Sequence, residues 1–88
     1  MRVSKFLKDA RAKARLTQWD VARNLKFTTA QFVSNWERGV SYPSPDSYVQ
    51  LAQVLRVPLK RLINVIYAEQ EMKLKTQKKA LLKQLGAA

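Results

Sequence analysis

The chain has 88 residues, 47% of them apolar, and carries 17 lysines and arginines against six acidic residues, which gives a net charge of +11. This is the length of one small domain, and the absence of cysteine and histidine leaves general acid–base, nucleophilic and metal-based catalysis few candidate residues. We therefore expect neither an enzyme nor a metal or cofactor. The charge favours a polyanionic partner, although ribosomal and membrane-surface proteins share this composition.

Two helices are predicted in the first 25 residues. The first covers about residues 4–14, and its apolar face is formed by Leu7, Ala10 and Ala14. The second covers about residues 18–25, because Thr17 and Asp20 form a Thr-x-x-Asp capping pattern in front of an apolar stripe.

A third short helix is predicted over about residues 30–38. It has candidate N-caps before it, an apolar face, and a glycine that can end it in a left-handed conformation. These features are carried by Thr28 and Thr29, by Val33 and Trp36, and by Gly39. Helices this short are not stable alone, so we expect a surrounding bundle.

Two further helices follow a proline- and serine-containing loop over residues 40–45. Ser44 caps the fourth helix with Pro45 at its first position, and Pro58 opens the fifth in the same manner. The residues expected on the inner faces are Tyr48, Leu51, Ala52 and Leu55 in the fourth helix, and Leu59, Leu62, Ile63 and Ile66 in the fifth.

The spacing of these signals resembles the helix-turn-helix of the phage-repressor/Cro-like (XRE) family. That family's pattern combines a Thr-Gln start, an apolar-Ala pair, a Ser/Thr-capped recognition helix and a closing Glu-x-Gly. The matching residues here are Thr17-Gln18, Val21-Ala22, Thr28-Thr29 and Glu37-Arg38-Gly39, followed by the Pro43 loop and LAQVLRVPLKRLI at 51–63. The resemblance covers about residues 5–66 and implies an all-α, five-helix repressor-like DNA-binding domain over residues 1–66. Residues 67–88 lie beyond it, and their own composition predicts a basic amphipathic C-terminal helix or tail.

Two features depart from the family pattern. The family usually has glycine in the inter-helix turn, where a positive φ is needed, and this chain has Lys26. The stretch from Gln18 to Glu37 is also one residue longer than usual, so we expect an enlarged turn.

The resemblance also implies a structural ion pair. The family typically pairs a first-helix arginine with the glutamate of the recognition helix, and Arg11 and Glu37 occupy those positions. Bidentate pairing would fix the first helix against the third. The alternative is two solvated charges.

Contacts with DNA follow from the docking geometry of this motif, in which the recognition helix enters the major groove. The residues expected to contact bases are Ala30, Gln31, Phe32 and Asn35, and those expected to contact the backbone are Thr17, Gln18, Thr29, Arg38 and Ser41. Phe32 has the alternative of folding under the turn and joining the core instead of contacting a base. Gln31 has the alternative of capping the N-terminus of the third helix together with Thr28. Trp19 has three alternatives: the DNA backbone, the enlarged turn, or a protein contact.

The predicted function is that of a sequence-specific transcriptional regulator of double-stranded DNA, with repression as its mode of action and no small-molecule effector. The alternatives are a protein-interaction module such as an antitoxin or phage anti-regulator, using Trp19, Phe32 and the C-terminal segment, or a basic RNA-binding protein. With no membrane-spanning run and no signal-peptide core in the sequence, we expect a cytoplasmic, nucleoid-associated protein.

The C-terminal segment has two interpretations. After Glu71 it contains five lysines and no acids, and Leu74, Leu81, Leu82 and Leu85 share one helical face. It is either a partly disordered basic tail or an amphipathic sixth helix that packs across a two-fold axis. We expect a homodimer through the fifth helix and this segment.

Overall fold

The computed structural model describes residues 2–87; Met1 and Ala88, the outer ends of the two predicted segments, lie outside it. The described residues form five α-helices and no strand, so the all-α prediction is confirmed. The helices are α1 (Arg2–Lys13), α2 (Gln18–Asn24), α3 (Gln31–Glu37), α4 (Tyr48–Leu55) and α5 (Leu59–Gln84), with a 3-10 turn at Pro45–Ser47. None of these helices is long and apolar enough to cross a membrane.

One apolar core joins the helices. α1 packs on α3, α4 and α5, and α2 packs on α3 and α4, so every short helix is supported by at least two neighbours. Removing each large apolar side chain from water contributes about 1.5–3 kcal/mol. The buried side chains are Val3, Leu7, Val21, Ala22, Leu25, Val33, Trp36, Tyr48, Leu51, Ala52, Leu55, Leu62 and Ile66.

Two predicted helix starts and one predicted inward residue are wrong. α1 begins at Arg2, which brings Val3 into the core. α4 begins only at Tyr48, because Pro45 opens the 3-10 turn instead. Leu59, expected inward, is exposed, because it lies at the first residue of α5, one turn before the part that packs against the core.

Each described helix ends in the same arrangement. A left-handed residue follows the helix, and the N–H of the next residue donates to the carbonyl five positions back, as from Phe27 to Ala22 at 2.9 Å. This is the Schellman motif. The left-handed residues, with φ between 57° and 75°, are Arg15, Lys26, Gly39, Arg56 and Gly86.

The turn between α2 and α3 is long, as the sequence predicts. α2 ends at Asn24 and α3 begins at Gln31, so the connection is residues 25–30, longer than the three to four residues common in this motif. Lys26 has φ 63°, which places the positive φ at the position where the family has glycine.

The C-terminal segment is neither a disordered tail nor a separate sixth helix. α5 runs without a break for 26 residues. Its last buried residue is Ile66, and every described residue from position 71 onward is exposed. Residues 67–84, called the α5 extension below, therefore contain no buried residue. The part beyond Lys73 projects from the domain and lengthens it to 49 Å against 25 and 21 Å in the other directions.

Candidate nucleic-acid interface

α3 has one buried face and one polar face. Val33 and Trp36 face the core, and Gln31, Asn35 and Arg38 follow one another at i, i+4 and i+7 on the other side. The Gln31 amide donates to Asn35 Oδ1 at 2.9 Å, and Arg38 Nη2 donates to the same oxygen at 2.6 Å. The three side chains therefore form one connected row along the outside of α3.

The start of α3 differs slightly from the prediction. Gln31 is the first helical residue and Ala30 is the N-cap, so Ala30 lies just before the first turn. Thr29, the residue before the N-cap, accepts the Gln31 N–H on its Oγ1 at 3.2 Å. The Gln31 side chain bonds to Asn35 and not to Thr28.

An aromatic stack fills the enlarged turn. The rings of Phe27 and Phe32 lie 5.1 Å apart, and Phe27 meets Trp36 edge-on at 5.9 Å. Phe32 packs on this stack but stays 56% exposed. It is therefore neither buried as core nor free of the turn, the two alternatives that the sequence left open. Phe27 has no role in the sequence analysis, although an apolar residue directly after a left-handed helix end often packs against the helix.

Arg11 and Glu37 form a bidentate pair that joins α1 to the end of α3. Arg11 Nε and Nη2 donate to the two carboxylate oxygens at 2.6 and 2.9 Å, and the side chains are only 17% and 6% exposed. These hydrogen bonds raise the pKa of Arg11 above its ordinary value. The Gln18 amide also donates to Glu37 Oε1, at 3.2 Å. The Gln18 side chain therefore points inward, toward the ion pair, and not toward a DNA backbone.

The N-terminus of α2 is held by the expected capping box. The Asp20 N–H donates to Thr17 Oγ1 at 3.0 Å, and the Thr17 N–H donates to Asp20 Oδ2 at 2.8 Å. The backbone hydrogen bond from Thr17 lowers the pKa of Asp20. Trp19, which directly precedes Asp20, is 43% exposed.

The loop after α3 is tied to α5 by a cluster absent from the sequence analysis. Tyr42 donates to Glu69 Oε2 at 2.6 Å, and the Val3 N–H donates to Glu69 Oε1 at 3.2 Å. Lys73 Nζ lies 4.8 Å from the centre of the Tyr42 ring. One carboxylate on α5 thus holds both the loop and the start of α1.

A comparison of the sequence with models of protein families identifies the family of this chain. A model described as Helix-turn-helix matches residues 7–62. The chain belongs to the XRE-like helix-turn-helix family of DNA-binding proteins. Searches of curated proteins and of solved structures gave no match.

In this helix-turn-helix protein α2 and α3 are the two helices of the motif, and most of the predicted contact residues lie on its outer surface. The exposed ones are Thr17, Thr29, Gln31, Phe32, Arg38 and Ser41. The partly buried ones are Gln18, Ala30 and Asn35. The structure brings Gln31, Asn35 and Arg38 into direct contact, and it separates Gln18 from them by turning its amide toward Glu37.

Proposed function

We propose that this protein is a sequence-specific regulator of transcription that places α3 in the major groove of double-stranded DNA and represses by occupying its site. The observation that carries the proposal is the hydrogen-bonded row of Gln31, Asn35 and Arg38 on the exposed face of α3. Held by one another, these side chains lose little freedom when they meet DNA, and such preorganisation favours binding.

The residues of α3 suit adenine–thymine pairs. The amides of Gln31 and Asn35 can each make paired hydrogen bonds to N6 and N7 of adenine, and Phe32 or Ala30 can contact a thymine methyl group. We therefore expect A·T pairs at the centre of each half-site.

Backbone contacts are assigned to the residues that border α3. Thr17, Thr29, Arg38 and Ser41 are exposed and can donate to phosphates, which position the protein without specifying sequence. Gln18 remains a candidate, but its amide must leave Glu37 to reach a phosphate. The net charge of +11 adds salt-dependent affinity for any duplex.

We further propose that the protein binds as a homodimer through α5, in the cytoplasm and on the nucleoid. One recognition helix of seven residues covers few base pairs, and two related by a two-fold axis double the contacts with a palindromic site.

The test is selection from a random duplex library followed by single variants. Gln31→Ala is expected to relax specificity at one base pair and to cost about 1–3 kcal/mol there, whereas Arg38→Ala weakens all sequences about equally. Gln53→Ala is the control, since Gln53 is an equally exposed glutamine on α4. A strictly G·C half-site, or tighter binding to single-stranded RNA than to duplex DNA, would overturn the proposal.

A further inference from the structure

Three exposed residues of the α5 extension with apolar or aromatic side chains repeat every seven positions. Tyr67, Leu74 and Leu81 are spaced by seven, and they are 49%, 65% and 55% exposed. Gln70, Gln77 and Gln84 follow each of them by three residues. At 100° per residue both sets lie on one face, with the alternating spacing of three and four that a coiled-coil helix has. The first position of the repeat is apolar or aromatic, and the second is glutamine, a polar residue that lowers stability and specifies register.

Charged residues lie along both edges of this face, and their signs distinguish a parallel from an antiparallel partner helix. Glu71 and Lys78 lie along one edge, seven residues apart, and Lys73 lies on the other edge. All three are exposed. Residues Lys75, Lys79 and Lys83 lie on the opposite, outer side of the helix and remain in solvent in either orientation.

We propose that the α5 extension pairs antiparallel with that of a second copy of this chain. The inference rests on the homodimer proposed above and specifies its geometry. In an antiparallel pair equivalent edges meet, so Glu71 lies beside Lys78 of the partner subunit, and the two-fold axis repeats this attraction. In a parallel pair opposite edges meet, and Lys73 faces Lys78 of the partner subunit twice, which is repulsive.

The antiparallel register also fixes which side chains of the two helices pack against each other and how far apart the two domains lie. Leu74 packs against Gln77 of the partner subunit, and Leu81 packs against Gln70 of the partner subunit. The two Ile66 residues are then 19 positions apart along the pair, or about 28 Å at a rise of about 1.5 Å per residue.

Charge reversal at Lys78 distinguishes the orientations by its sign. Lys78→Glu places two carboxylates together in the antiparallel pair, and we expect the dimer dissociation constant to rise about 10-fold, with recovery in Glu71→Lys/Lys78→Glu. In a parallel pair the same single change removes a repulsion and tightens the dimer. Lys79→Glu, on the outer side, makes the same change in net charge and serves as the control in sedimentation.

Disulfide cross-linking gives an independent result, because the chain has no cysteine of its own. Leu81→Cys mixed with Gln70→Cys is expected to form a mixed disulfide. Leu81→Cys alone is not, since its two copies lie about 16 Å apart along the axis and disulfides require Cα atoms within about 7 Å. A Leu81→Cys homodimeric disulfide, or a tighter Lys78→Glu dimer, would overturn the antiparallel pairing and leave the homodimer intact. A full-length chain that sediments as a monomer at every concentration would overturn both, while DNA selection tests the regulator proposal separately.

Discussion

At the scale of single residues, the pair between Arg11 and Glu37 has the largest expected effect on stability. Glu37 closes α3, where the negative end of the helix dipole disfavours a carboxylate, and its side chain is 6% exposed. Two hydrogen bonds from Arg11 and one from Gln18 compensate for that environment. Without Arg11 the carboxylate loses its only cationic partner among the ion pairs of residues 2–87.

Arg11→Met should therefore lower the free energy of unfolding by about 3 kcal/mol or more, because it leaves a nearly buried charge unpaired. Urea denaturation measures this. Arg23→Met is the control, since Arg23 pairs with Asp20 at 3.5 Å on an exposed surface and such pairs contribute about 0–1 kcal/mol. Equal, small losses in both variants would show that Arg11 and Glu37 are solvated charges.

Lys26 carries backbone strain in the turn of the motif. Its φ of 63° costs a residue with a Cβ about 1–2 kcal/mol relative to glycine. Glycine loses more conformational entropy on folding, and this offsets part of that difference. We expect Lys26→Gly to be about 1 kcal/mol more stable than Lys26→Ala in thermal or urea melts. The two variants remove the same charge, so only the backbone differs. If Ala were the more stable, the left-handed conformation would not be populated in solution.

At the scale of secondary-structure elements, Glu69 joins three parts of the chain. It accepts from Tyr42 in the loop and from the Val3 N–H at the start of α1. Burial raises the pKa of Glu69, but the hydrogen bonds from Tyr42 and Val3 and the charge of Lys73 outweigh it, so its pKa lies below the usual range. Folding therefore favours the ionised form.

The lowered pKa of Glu69 makes its contribution depend on pH. The stabilisation is present above the ordinary glutamate pKa of about 4.3 and is lost as the pH falls through the lower, folded-state pKa. Near pH 6 we expect Glu69→Gln to be about 1 kcal/mol less stable than the parent, with the difference shrinking as the pH drops below about 4. Urea melts at several pH values measure this, and Asp46→Asn, which removes an exposed carboxylate outside α5, is the control.

At the scale of the whole molecule, the folded domain and the α5 extension separate near Glu69. All buried apolar residues lie between Val3 and Ile66. The last contacts of α5 with the rest of the domain are those of Glu69 and Lys73 with Tyr42. Among the described residues, those beyond Lys73 are all exposed, so we expect their removal to leave the fold intact.

Truncation after Lys73 is therefore expected to keep the free energy of unfolding within about 0.5 kcal/mol of that of the monomeric full chain. Truncation after Tyr67 removes Glu69 as well and should cost about 1 kcal/mol more. Both should abolish dimerisation, lower operator affinity and remove the concentration dependence of thermal melting that a dimer shows. A truncated chain that still sediments as a dimer would place the interface in the domain itself.

Local signals in the sequence were sufficient for much of the fold. The capping box at Thr17, the left-handed end at Gly39 and the inner face of α4 involve residues within about two helical turns of one another. Their physical causes, orphan N–H groups and a period of 3.6 residues, also act over that range. The family pattern added the long-range pairing of Arg11 with Glu37, which periodicity alone does not contain.

The continuity of α5 was also determined by the sequence, although it was not predicted. No glycine or proline occurs between Pro58 and Gly86, so nothing in the chain ends the helix after Ile66. The apolar stripe weakens there because the domain stops. The helix can continue because all residues of 67–84 except Tyr67 and Thr76 are good helix formers.

Only the tertiary structure decided which polar groups meet. Val3 and Glu69 are 66 positions apart, Tyr42 and Glu69 are 27 apart, and Gln18 and Glu37 are 19 apart. The side chains of Gln18, Glu37, Tyr42 and Glu69 suit a solvent-exposed position equally well on sequence grounds, and Val3 contributes only its backbone N–H. Their partners depend on how α1, α3 and α5 cross, and that crossing is set by the packing of the whole core and not by any residue near them in the chain.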